Sequence, residues 1–144
     1  MSVQRRPLDR PAEDVAELVL DWSRDGEWRT AVVRMEVEPA GRARVGQRIS
    51  ERLRFGGRTF VTPTTITEAG ELSASFAGGS ATAAVRGRRT VVPEPGGACT
   101  VVLEVDVRMT GLLAVLNPLF RPGYRRRLAA EADALAALVA APAS

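Results

Sequence analysis

Apolar and polar positions recur along this chain with two different periods. From residue 31 to residue 109 the period is two, as in strands with one buried face. Val33, Met35 and Val37 alternate with Arg34, Glu36 and Glu38 before Pro39-Ala40-Gly41 turns the chain. A strand predicted over residues 45–55 places Ile49, Glu51, Leu53 and Phe55 on one face and Arg48, Arg52 and Arg54 on the other. Gly56-Gly57 then reads as a tight hairpin into residues 58–68, where Pro63 implies a bulge or an edge position because it removes a ladder donor. Leu72, Ala74 and Phe76 alternate with Ser73 and Ser75, and residues 81–92 form a further strand of ambiguous register. After the turn at residues 93–97 comes the clearest strand, with Cys99, Val101, Leu103, Val105, Val107 and Met109 inward.

The two ends of the chain differ from this middle. Residues 3–8 predict a first strand, after which Pro11 opens a helix whose Val15, Leu18, Val19 and Trp22 fall at helical spacing. Residues 21–28 predict a second short helix or turn. Past Pro122-Gly123, Tyr124, Leu128, Ala132, Leu135 and Val139, with Leu138 beside them, mark a one-sided helix. At about 1.5 Å per residue it runs roughly 28 Å, and its apolar stripe needs a cover of similar length. The strands are the available cover. The expected architecture is therefore α+β: a seven-stranded antiparallel curved sheet wrapped around a long C-terminal helix, with two short helices between strands 1 and 2. Residues 1–144 read as a single domain, and the space between sheet and helix is where a site is expected.

Composition narrows the chemistry. With no histidine and one cysteine, Cys99, there is no imidazole for a triad or a zinc site and no intramolecular disulfide. All 20 basic residues are arginine, which removes Schiff-base lysine chemistry. The net charge of +3 raises nucleic-acid binding, but the arginines are scattered and aromatic residues make up only 5%, too few for a base-stacking platform. No window reaches the roughly 20 apolar residues of a membrane span, and residues 1–15 lack a signal-peptide run. The expectations are a cytoplasmic location, no cofactor, no metal, no nucleic-acid partner, and a monomer or homodimer.

Several residues, in order and spacing, carry a resemblance. Pro11-Ala12-Glu13-Asp14-Val15, Asp21 with Trp28, Val45-Gly46, Gly56-Gly57, Gly96-Gly97, and Gly111-Leu112-Leu113 with Pro118 and Arg125-Arg126 resemble the SRPBCC superfamily. They are most similar to its bacterial polyketide cyclase/dehydrase and lipid-transport branch, related to START domains and the major birch-pollen allergen type. The chain departs from that pattern at Ala16, where an aromatic residue is common, and at Cys99-Thr100, where Gly-Thr is common. The resemblance covers nearly the whole chain and implies the helix-grip fold. It also implies a shared cavity far more than a shared catalytic set.

Candidate residues follow from alternation. Glu51 shares an apolar face, where an unpaired carboxylate costs several kcal/mol or takes up a proton; it is a polar anchor or base, or else reaches water or an arginine. Arg89 either projects inward, to Glu51 or a ligand carboxylate, or lies exposed as arginines ordinarily do. Tyr124 offers a hydroxyl from the helix stripe. Glu51, Tyr124 and Arg89 are thus the candidate catalytic groups. Candidate ligand-binding residues are Trp28, Phe55, Phe60, Thr62, Phe76, Leu103 and Met109, with Leu112, Leu116 and Phe120 from the apolar segment before the helix as an entrance or gate. A partner or membrane-surface patch is the competing reading of that segment. Cys99 reads as a small buried hydrophobe. The expected function is binding of a hydrophobic small molecule, such as a lipid, isoprenoid or polyketide-like compound. The alternatives are a polyketide cyclase/dehydratase using the same cavity, or a protein-interaction module.

Overall fold

The structure, a computed structural model, describes residues 1–55 and 57–141, with the side chain of Phe55 outside that description. Its strands are β1 (Ser2–Leu8), β2 (Val32–Glu38), β3 (Arg48–Phe55), β4 (Arg58–Ala69), β5 (Ser73–Gly79), β6 (Ala83–Glu94) and β7 (Ala98–Met109). Between β1 and β2 lie helix α1 (Ala12–Val19) and a 3-10 helix, Trp22–Glu27; after β7 come a second 3-10 helix, Gly111–Leu116, and helix α2 (Asn117–Ala140). The strands form one sheet in the order β1-β7-β6-β5-β4-β3-β2, every pair antiparallel. This is the helix-grip architecture expected above.

Cross-strand register fixes which side chains share the inner face, because alternate residues point to opposite sides. Glu51 pairs with Met35 and Thr62, Ile66 with Phe76, Phe76 with Gly87 and Ala74 with Arg89, and Arg89 with Leu103. Arg89 therefore faces inward, which resolves the ambiguity of its strand. It is buried. Ile49, Ile66, Val91, Val101 and Leu135 form the densest core with Val15, Val19 and Leu20 of the α1 segment.

Three sequence expectations shift, and that for Pro63 takes one of its two forms. α2 begins at Asn117 and takes Pro122 into its body, where a helix was expected only beyond Pro122-Gly123. The start is pinned from outside: the Asn117 amide accepts from the Met109 N–H at 2.6 Å and donates to the Met109 carbonyl at 3.1 Å, standing in for a strand partner at the end of β7. β3 begins at Arg48, and Val45 is exposed. A register shift between Val32 and Arg34 leaves Val33 exposed instead of inward. Pro63 sits in an inner strand, but the β4–β5 pairing starts only at Thr64 with Gly78, so β4 is locally an edge at the proline and no ladder bond is lost there. Of the predicted hairpin, Gly56 lies outside the described residues, while Gly57 takes a φ of 77°, a region glycine enters at little cost.

Gly87 is required for a spatial reason. A Cβ there would lie 2.3 Å from the Glu104 carbonyl oxygen and 2.5 Å from the Phe76 ring. Gly87→Ala is expected to destabilise by about 1–3 kcal/mol through overpacking, read as a lower urea midpoint at unchanged m-value; an unchanged midpoint would contradict the packing described.

Candidate functional site

The charged residues of the interior come from every layer of the fold. In the first 3-10 helix the Asp25 carbonyl accepts from the N–H groups of Trp28 and Arg29, and this turn brings the Asp25 and Arg29 side chains to one side. Asp25 is fully buried. Its carboxylate accepts two hydrogen bonds from Arg89 of β6, at 2.8 and 2.6 Å, and one from Arg29 at 3.0 Å. Arg89 also donates to the Val19 carbonyl at 3.0 Å, and its guanidinium lies 4.0 Å from the Trp22 ring centre and 4.9 Å from that of Trp28, within cation–π range. Trp28 acts here through its ring face, since Nε1 has no partner among the described residues.

The network continues outward from Arg29. This guanidinium also pairs with Glu51 of β3, and its Nε lies 3.2 Å from Glu131 of α2. Arg127, one helical turn before Glu131, donates to it at 3.3 Å and lies 3.9 Å from Glu51. Burial by itself would lower the Arg29 pKa, but Glu51, Glu131 and Asp25 more than reverse this and hold it above the ordinary arginine value. The three arginines and three carboxylates of this network balance. Their exposure is graded: the Asp25 side chain is 0% accessible, Arg29 and Arg89 each 7%, Glu131 11%, Glu51 14% and Arg127 26%. Asp25 is sealed, and Glu51 and Arg127 are the most accessible members.

The inner face of the sheet shows the same gradient. Around the sealed end, Ile49, Ile66, Ala74, Val91 and Leu103 are buried, whereas toward the Met109 end Thr62, Phe76, Val85, Val105 and Met109 are only half-buried and Phe60 is exposed. Leu53 is the exception, buried near the open end. Tyr124 of α2 is half-buried, its hydroxyl 3.9 Å from the Met109 sulfur and its ring 6.5 Å from that of Phe120. The inner face toward the Met109 end thus presents partly accessible aromatic and aliphatic side chains, with the charge-balanced network beside them. Two shallow surface hollows lie elsewhere, one of about 280 Å³ along Glu36, Arg48 and Pro63 and one of about 420 Å³ between Leu8 and Val139. None of the six network residues lines either.

The sequence carries a family signature across the elements that build this geometry. The model of the family described as "Polyketide cyclase / dehydrase and lipid transport" matches residues 2–140. The chain belongs to this family. Among solved structures it resembles TTHA0849 from Thermus thermophilus, at 19% identity and a TM-score of 0.80 over 99% of each chain. It also resembles a START superfamily protein from Mycobacterium smegmatis, at 14% identity and a TM-score of 0.77 over 95% of this chain and 94% of that one. The Zhui aromatase/cyclase of a Streptomyces species matches with 10% identity and a TM-score of 0.77, over 95% and 91% of the two chains. At such identities the likeness shows the fold. No curated protein sequence matches the chain.

Within this member of the family, the sequence-predicted residues part company. Glu51, Thr62, Phe60, Phe76 and Met109 share the less buried part of the inner face, with Tyr124 of α2 against Met109, while Leu116 is half-buried and Phe120 partly exposed. Arg89 does not join them: Asp25, not Glu51, takes its hydrogen bonds, and the two tryptophans cover it. Trp28 and Leu103 are buried in the core, and Leu112 is 94% exposed. Phe55 lies outside the described side chains. Asp25, Arg29, Arg127 and Glu131 were missed. Asp25 and Arg29 sit in what reads as a polar turn; Glu131 carried a signal, since it falls at i+3 from Leu128 on the apolar stripe of α2.

Two outcomes follow for measurement. Asp25→Asn should cost about 3–5 kcal/mol, because it leaves the buried Arg89 guanidinium without its counter-charge and takes one of three from Arg29, whereas Glu51→Gln at the accessible end should cost clearly less; equal losses in urea titration would contradict the gradient. Cys99 is buried, and burial first, then the Glu13 and Glu94 carboxylates, push its thiol pKa up. Iodoacetamide should leave the native thiol unmodified and label it quickly in urea; fast native labelling would contradict its placement.

Proposed function

We propose that the protein binds an uncharged, largely apolar small molecule in the recess between sheet and α2, with a hydroxyl or carbonyl end directed at Glu51 and Arg127. The observation that carries this reading is the balanced network beside the partly accessible apolar side chains of the inner face. Since three carboxylates already neutralise three guanidinium groups, a ligand carboxylate would add an uncompensated charge at low dielectric. A neutral group fits better: one Glu51 oxygen takes no hydrogen bond among the described residues and is an acceptor for a hydroxyl, while Arg127 is a donor for a carbonyl. Phe60, Phe76 and Met109 would cover the apolar body, at about 25 cal/mol per Å² of apolar surface removed from water. Membership of a polyketide cyclase and lipid-transport family supports this class of ligand.

A second reading is favoured by the same free Glu51 oxygen. A carboxylate held by Arg29 and Arg127 beside an enclosed polyketone could accept a proton from a carbon next to a carbonyl, while Arg127 or the Tyr124 hydroxyl stabilises the enolate oxygen. The recess would then fold the chain for cyclisation. The Zhui protein of similar fold is an aromatase/cyclase.

The test compares matched ligands by calorimetry: a polycyclic phenol against the same ring system bearing a carboxylate, each with wild type, Glu51→Gln and Arg127→Leu. The phenol should bind at least about tenfold tighter than the acid, a difference of about 1.4 kcal/mol, and both substitutions should weaken phenol binding. Tighter binding of the acid, or indifference to both substitutions, would overturn the assignment. Retained binding with lost turnover in Glu51→Gln would decide for the cyclase.

A further inference from the structure

Residues 107–130 carry five arginines and no acidic residue, in a chain that has 17 acidic residues in all. The same segment holds the most exposed aliphatic side chains of its region: Leu112 at 94%, Val115 at 81% and Leu119 at 72%. No residue of the 3-10 helix Gly111–Leu116 is buried. A lone exposed leucine needs no explanation, but several on one short turn, continuing to Phe120, form a patch that calls for an apolar partner. Arg121, Arg125 and Arg126 are exposed alongside it, and none pairs with a carboxylate among the described residues.

We infer that this knob, the second 3-10 helix with the first turns of α2, docks the protein on an anionic lipid surface. Three observations select a bilayer over a protein. The exposed groups are mainly aliphatic and stand out from the surface, whereas protein hot spots are rich in tryptophan and tyrosine seated in pockets. The flanking charge is uniformly positive, so it complements phosphate headgroups and offers no acid to set a protein register. Arginine stems can lie along the acyl boundary with their heads at phosphate depth, which suits Leu119 beside Arg121, Arg125 and Arg126. No described helix is long and apolar enough to cross a membrane, so the contact is interfacial. The knob follows Met109 after Thr110, at the less buried end of the inner face. Docking does not depend on the ligand reading above; if that reading also holds, an apolar molecule would leave the recess straight into the lipid.

The test is flotation of the purified protein with vesicles of phosphatidylcholine alone and of equal parts phosphatidylcholine and phosphatidylglycerol. Wild type should float with the anionic vesicles, weakly or not at all with the neutral ones, and less as salt rises. Replacing Arg125 and Arg126 by alanine should weaken binding about fivefold for each arginine removed. Val115→Asp with Leu119→Asp should abolish flotation, and because both side chains already stand in water, an unchanged thermal midpoint will show that the fold is intact. No flotation of wild type, or flotation unaffected by the aspartates, overturns the proposal. So does a shift in oligomeric state produced by the aspartates without vesicle binding, which would make the knob a contact between copies. Ligand calorimetry is read separately, so failure of the recess assignment leaves this result standing.

Discussion

Everything inside this molecule is arranged around one carboxylate that cannot reach water. Asp25 is fully enclosed, and it is tolerable there only because Arg89 and Arg29 supply three hydrogen bonds to it. Those arginines in turn tie the first 3-10 helix to β6, β3 and α2 through Val19, Glu51 and Glu131. A network of this kind adds little net stability compared with apolar packing, but breaking it is costly. Its effect is geometric: sheet, short helices and long helix are held in one relation, with Glu51 and Arg127 at the accessible end.

A site between sheet and α2, as proposed, would inherit its polarity from this frame. A wholly apolar box would accept almost any greasy molecule. In the proposed site, a floor presenting one carboxylate oxygen and one guanidinium, already neutralised, would restrict the polar end of a guest to uncharged donors and acceptors. That restriction is compatible with either a carrier or a cyclase, and the two differ only in whether Glu51 moves a proton or merely accepts a hydrogen bond. Cys99, the other nucleophile class, is packed into the core with its thiol pKa raised and takes no part.

Period and turn chemistry made the fold legible: six hairpin-linked strands, a first strand and a one-sided terminal helix were all readable, and the order from β2 to β7 follows from hairpins alone. The pairing of β1 with β7 joins the two ends of the sheet's sequence and carries no turn signal. Glu51 was legible for a related reason, as a carboxylate on an otherwise apolar strand face. Its partner was not, because a guanidinium in a turn looks like solvated surface until the turn is folded under the sheet; Arg29 and Asp25 carry no periodic signature. Arg89 was hidden by a strand in which glycine and arginine alternate, where neither face is plainly apolar. The early start of α2 was hidden by Pro122, whose effect on a helix is local, while Asn117 fixes the start through β7.

What occupies the recess in the freshly made protein bears most directly on its proposed role. Native mass spectrometry, followed by denaturing extraction and weighing of any released compound, addresses that without choosing a ligand beforehand. The expected result is a one-to-one complex with an apolar compound that is uncharged and carries hydroxyl or carbonyl oxygen, and its absence from protein bearing Glu51→Gln and Arg127→Leu. A released fatty acid or other anion, or a protein that stays empty and takes up no neutral phenol or ketone when offered one, would contradict a neutral-ligand recess.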